Sequence, residues 1–256
     1  MITPKLMRKV KYFIFFTVFL GSLFFLFGPE VAPENLQPQE ILSLAEDRDV
    51  IIVFNSGGWG YTPLEKAWDF APIIEGIQGT LSEWGYSSAV IPYNRTKNTL
   101  IGKVAGAKDF LNSFNLSSKT LAEEIEFLAE NSPDKKIIIA GLSNGAAFVN
   151  RTYEKVSEEV KGSVYAISLG DPFWTKTFKS DNMLQLDNNG KDSLAEGEIK
   201  TLIFSLIETP SKWLSAKING QNLTFFHAIQ PPGHEYLWNS SDVGPQIVTF
   251  LQDKLR

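Results

Sequence analysis

Hydrophobic residues along this 256-residue chain fall into short dense runs, separated by stretches of helical period or polar sequence. "DVIIVFN" (49–55) and "KKIIIAG" (135–141) are uninterrupted apolar runs of strand length, as expected for strands covered on both faces. "SSAVIPY" (87–93), "GSVYAISLG" (162–170), "IKTLIFSLIE" (199–208) and "LTFFHAI" (223–229) read as further strands. Between them, "PIIEGIQGTLSEWG" (72–85), "TLAEEIEFLAENS" (120–132), "NGAAFVNRTYEKVSEEV" (144–160) and "VGPQIVTFLQDKL" (243–255) read as helices. Leu121, Ile125 and Leu128 share one helical face, and Thr120 and Glu123 have capping-box spacing. Pro245 suits the first turn of the closing helix. Strand and helix alternating in this way predict an α/β fold, a mostly parallel sheet flanked by helices.

The pattern breaks at two places. Lys5, Arg8, Lys9 and Lys11 precede "YFIFFTVFLGSLFFLFG" (12–28), a 17-residue run without charge. It predicts an N-terminal transmembrane helix, with residues 1–28 as cytoplasmic basic flank and anchor, or else a cleaved signal segment. Residues 29–46, beginning "PEVAPENLQPQE", read as a tether between membrane and domain. The folded domain is then 47–256 and lies outside the cytoplasm, membrane-anchored or secreted. The other break, "KTFKSDNMLQLDNNGKDSLAEG" (176–197), is polar and turn-rich, and predicts an excursion from the domain instead of a second one.

Composition narrows the chemistry. A net charge of −5 with scattered basic residues gives no electrostatic case for nucleic acid. The chain has no cysteine, which excludes disulfides, thiolate metal sites and a cysteine nucleophile. HExxH, paired-histidine metal spacing and phosphate-binding glycine loops are missing too, so neither metal nor organic cofactor is implied. Trp59, Tyr61, Trp68, Phe173 and Trp174 lie near predicted strand ends, where they pack the core or line an apolar acyl or aryl pocket. Asn94, Asn115, Asn150, Asn222 and Asn239 stand in N-x-[ST] sequons.

One motif carries chemistry. At "GLSNG" (141–145) a buried strand turns sharply into a helix, and only small residues fit beside the apex of such a turn. Ser143 then projects above the carboxyl edge of the sheet as a nucleophile. The helix starting at Asn144 points its amides and dipole at the same place, and the N–H after the serine can donate to an oxyanion. A serine needs a base, and the chain has two histidines: His227 inside "LTFFHAI" and His234 in the loop "QPPGHEYLW".

With a strand before it and a helix after it, this elbow resembles that of the α/β-hydrolase family, across residues 47–256. "FNSGGWG" (54–60) resembles the family's oxyanion loop, which implies one donor from the amide of Gly58 or Trp59 and another from Asn144. The family keeps its base in the loop before the final helix, which implies His234 and not His227. Its chain order and its usual acid position, at the end of the strand next to the last, imply Glu208. Asp171 is the alternative, and Asp181, Asp187 and Asp192 are further carboxylates in the excursion.

The expected function is a serine hydrolase cleaving carboxylic esters through an acyl-enzyme, with a small-molecule or lipid ester as substrate. Two other readings stay open: a non-catalytic extracytoplasmic binding module of the same fold, and a peptidase or thioesterase using the same groups. Nothing in the sequence speaks to oligomeric state.

Overall fold

Aliphatic and β-branched residues fill five short segments that pair side by side in one parallel sheet. The computed structural model describes residue 35 and residues 37–175, 178–220 and 230–256. Its strands are β1 (Val50–Asn55), β2 (Ser88–Pro92), β3 (Lys136–Leu142), β4 (Val164–Leu169) and β5 (Met183–Leu186), in the order β2-β1-β3-β4-β5. Strand alternation divides the central strands between two cores. Ile51, Val53, Ile137 and Ile139 face one side, under α1 (Pro38–Ala45), α4 (Asn115–Asn131) and α5 (Asn144–Lys155). Ile52, Phe54, Ile138 and Ala140 face the other, under α2 (Ala71–Glu83) and α7 (Gly244–Leu255). Each such buried aliphatic side chain stabilises the fold by about 1.5–3 kcal/mol.

This order determines where a ligand can sit. The chain leaves β1 for α2 on one face of the sheet and leaves β3 for α5 on the other. The carboxyl ends of β1 and β3 are neighbours, so their outgoing chains diverge and open a crevice between them. The 54–60 loop and the 141–145 elbow flank that crevice.

Several expected elements are corrected. Residues 199–208 are not a strand but the first half of helix α6 (Ile199–Ile218). Ile199, Leu202, Ile203, Leu206 and Ile207 recur at helical spacing, and a dense apolar run conceals that period. Residues 38–45, assigned to the tether, form α1 and bury Ile41 and Ala45 against the domain. The helix expected at 120 begins at Asn115, and the Thr120 hydroxyl donates to Leu116 O instead of capping an end. The helix expected to reach 160 ends at Lys155. The excursion contains β5, and α3 (Leu100–Leu111) had no sequence counterpart. Trp59, Trp68, Phe173 and Trp174 are exposed, not packed in the core, whereas the sequon residue Asn150 is buried. No helix among the described residues is long and apolar enough to cross a membrane. The 12–28 run, the first part of the tether and the expected strand at 223–229 with His227 lie outside the described residues.

Candidate active site

The elbow is held by two close approaches that only glycine permits. A Cβ on Gly141 would lie 2.2 Å from Gly145 O, and one on Gly145 would lie 2.4 Å from Asn55 O. Between them Ser143 adopts φ 56° and ψ −122°, a strained conformation for a side-chain-bearing residue. The Ser143 amide donates to Leu169 O at 2.8 Å, tying the apex to the end of β4. Helix α5 starts at the next residue, and the Asn144 N–H has no acceptor among the described residues.

The 54–60 loop closes over this apex. Gly57 lies nearest the serine: a Cβ there would be 3.7 Å from Ser143 Cβ and 3.2 Å from Leu142 O. A Cβ on Gly58 would meet nothing within 4 Å, and Trp59 turns its side chain outward while Thr96 Oγ1 donates to its carbonyl at 2.8 Å. The glycine pair is therefore where the sequence placed it, with its first member, not the expected Gly58 or Trp59, against the nucleophile.

His234 comes from the loop before α7, as expected, and the residue facing it is Asp192. Nδ1 of His234 and Oδ2 of Asp192 are 2.7 Å apart, and the side chains are only 8% and 0% exposed. The same Oδ2 accepts from the Tyr236 hydroxyl at 2.7 Å, while Oδ1 accepts from the amides of Leu194 and Ala195 at 2.9 and 3.2 Å. Burial alone would raise the Asp192 pKa. The His234 bond and charge, with the Tyr236 and Ala195 bonds, outweigh it and hold the carboxyl below its ordinary value. An ionised carboxylate on Nδ1 leaves Nε2 as the acceptor nitrogen of the neutral ring, the tautomer a general base requires.

Two loops are laced together to make this pair. Asn188 Nδ2 donates to Gly233 O at 2.9 Å, and the amide and hydroxyl of Ser193 both donate to Pro232 O, at 3.0 and 2.8 Å. Gly233, at φ +77°, passes so close that a Cβ would lie 1.8 Å from Lys191 O. Gly170, just after β4, lies beneath them: a Cβ there would be 2.6 Å from His234 Cε1 and 2.9 Å from Asp192 Oδ2. Leu169, which holds the Ser143 amide, is its chain neighbour, so serine and histidine flank the same strand end. No direct hydrogen bond joins Ser143 Oγ to His234, and in unliganded sites such bonds commonly tighten only around substrate.

The expected acids are elsewhere. Glu208 stands on α6, exposed, with Lys212 Nζ 2.9 Å away. Its selection rested on 199–208 being a strand, and the helix removes that premise. Asp171 accepts from Asn150 Nδ2 at 2.8 Å and from the Thr175 hydroxyl, and does not meet His234. The carboxylate at His234 is one of the excursion aspartates. The signal that could have found it is "MLQLDNNG", an alternating run closed by a turn: Asn188, Asn189 and Gly190 all take positive φ.

A cleft of about 250 Å³ runs beside α5, one turn beyond the serine, with Phe110, Phe114, Trp174 and Phe178 on its wall and Arg151 and Glu154 lining it as well. No protein family and no curated protein sequence matches the chain. Among solved structures it is similar to a Trichoderma reesei cutinase in complex with a C11Y4 phosphonate inhibitor. The identity is 19% and the TM-score 0.40, over 57% of this chain and 66% of that one.

Proposed function

We propose that the chain is a serine hydrolase acting on carboxylic esters. The observation that carries this is the buried Asp192–His234 pair, set on the same sheet edge as a strained serine at a helix N-terminus. Ser143 Oγ attacks the acyl carbon, its proton passes to His234 Nε2, and the carbonyl electrons move onto oxygen. The amides of Asn144 and Gly57 receive that oxyanion. Collapse breaks the bond to the alcohol oxygen, which leaves with the proton from His234, and an acyl-serine remains. Water then repeats the sequence and releases the acid. Asp192 stays ionised throughout and stabilises the imidazolium. The exposed rings of Trp59, Phe173 and Trp174 and the aromatic cleft favour an apolar acyl group, small-molecule or lipid.

The proposal extends to location: the apolar run at 12–28 holds the domain at a membrane, outside the cytoplasm. Protease added to intact cells should then cleave the domain, and full protection would reverse the orientation.

A fluorophosphonate probe tests the chemistry. It should label Ser143, and Ser143→Ala should abolish labelling, keep the fold and reduce ester turnover by roughly 10⁶-fold. Undiminished hydrolysis by that variant would dismiss the proposal.

A further inference from the structure

Arg95 is a cation in a place where cations are costly. It is 6% exposed, and burial pulls its pKa down to about 10, with Asp109 offsetting part of that through space. Its guanidinium lies over the rings of Phe114 and Phe148, 5.1 and 5.4 Å from their centroids, and its Nε has no hydrogen-bond partner among the described residues. A methionine would fill such an aromatic slot without desolvating a charge. Stability therefore does not explain an arginine there; its hydrogen bonds do.

Those bonds all go to the loop above the nucleophile. Nη2 donates to Ser56 O at 2.8 Å and to Gly58 O at 3.3 Å, and the Arg95 amide donates to Gly60 O at 2.7 Å. Gly60 must be glycine for this contact, since a Cβ would lie 2.4 Å from Arg95 Nε. In a trans peptide the carbonyl and the following N–H point in opposite directions. Drawing Ser56 O toward Arg95 turns the Gly57 N–H the other way, and Gly57 is the loop residue lying against Ser143. No described acceptor takes that N–H.

We infer that Arg95 is the positioning residue of the oxyanion hole: by holding the carbonyls of Ser56 and Gly58, it aims the Gly57 amide at the developing oxyanion beside Ser143. This rests on the hydrolase reading for its catalytic consequence but not for its structural one. Arg95 touches no substrate and acts through the loop. Its cation also lies behind the hole, in a low dielectric, with its field directed at the same point.

The test uses the whole chain with Arg95→Met and Arg95→Lys. Lysine keeps a cation beside the rings and is the variant chosen to preserve folding, but its ammonium falls one bond short of Nη2 and so holds the two carbonyls more weakly. Hydrogen exchange reads the protected amides of Gly60 and Thr62, which donate to Gly57 O and Ser56 Oγ. Their exchange should rise roughly tenfold in Arg95→Met and less in Arg95→Lys, with the Ser143 amide unchanged as control. On an ester, kcat should fall about 10²-fold in Arg95→Met at nearly constant KM, with partial recovery in Arg95→Lys. Wild-type exchange at Gly60 and Thr62 in either folded variant, or a loss confined to KM, overturns the assignment. The exchange arm needs no substrate. A wild-type chain that hydrolysed nothing would sink the hydrolase reading while the Arg95 inference stood or fell on exchange alone.

Discussion

Asp171 and Asp192 each lie in a loop that follows a parallel strand, and their carboxyls shift in opposite directions. Asp171 is half-buried, and desolvation raises its pKa against the hydrogen bonds from Thr175 and Asn150. Asp192 is fully buried, yet its pKa is lowered. Burial pushes both carboxyls up, and the number and charge of the donors decide whether that push is overcome. Two side-chain groups serve Asp171, whereas an imidazole, a phenol and two backbone amides converge on Asp192. Asp171 braces the loop bearing Phe173 and Trp174, and Asp192 is built to stay an anion beside a base.

The sharpest way to break this comparison is to neutralise each carboxylate in turn. Asp192→Asn should leave the fold intact and lower kcat by up to ~10⁴, because an amide no longer enforces the working tautomer. Asp171→Asn and Glu208→Gln should stay within a few-fold of wild type on the same ester. If Glu208→Gln or Asp171→Asn suffers the large loss instead, the acid is misassigned.

A smaller effect should come from the lacing between the two loops. Gly233→Ala drives a Cβ into Lys191 O at a positive φ, whereas Gly190, also at positive φ, has 4.0 Å of clearance to Glu196. Gly190→Ala meets backbone strain alone, and Gly233→Ala meets strain plus collision. Urea unfolding should show a loss of ~1 kcal/mol for the first and distinctly more for the second, which should also lose turnover. Equal losses would mean that the lacing contributes nothing.

Least in size, and most diagnostic of the donor argument, is Tyr236→Phe. A carboxyl whose folded pKa lies below its ordinary 3.8 stabilises the fold above that value, and the contribution disappears as pH falls through the folded pKa. Removing the Tyr236 donor should move that loss to higher pH. Asp171 has the opposite sign: its raised pKa favours the folded state below 3.8 and loses that contribution as pH rises through the folded value. Thermal melts across the acid range should show Tyr236→Phe failing earlier than wild type and Asp171→Asn failing more steeply. Overlapping curves would remove the phenol from the account.

The sheet and the elbow at Ser143 were legible in the sequence because both are largely local. An uninterrupted aliphatic run has few other uses than a buried strand, and Gly141 is demanded by Gly145 O four residues on, although Gly145 answers to Asn55 O at the end of the neighbouring strand. His234 was within reach because only two histidines compete. The carboxylate at His234 was not, since Asp192 becomes distinctive only when 230–236 folds back over 188–193, forty residues distant. Glu208 attracted notice through a dense apolar run whose period is helical. Arg95 left no trace at all: its meaning lies in two carbonyls and two rings supplied by three other segments.

The acid loop also hangs from the weakest support in the sheet. β5, at four residues, is the shortest strand, and among the described residues it pairs with β4 alone, where β1 and β3 each pair with two neighbours. Three of its four residues are only half-buried, and such short, shallow segments open locally at a fraction of the free energy needed to unfold a deeply buried strand. Ser143, by contrast, is rooted in β3, at the middle of the sheet. On heating, then, the rim should come loose while the centre still holds. The chain would first become a folded protein with an intact, idle serine, and only later an unfolded one. Its working lifetime at high temperature is set by four residues at the margin, and a brace on β5 would extend that lifetime more than any repacking of the interior.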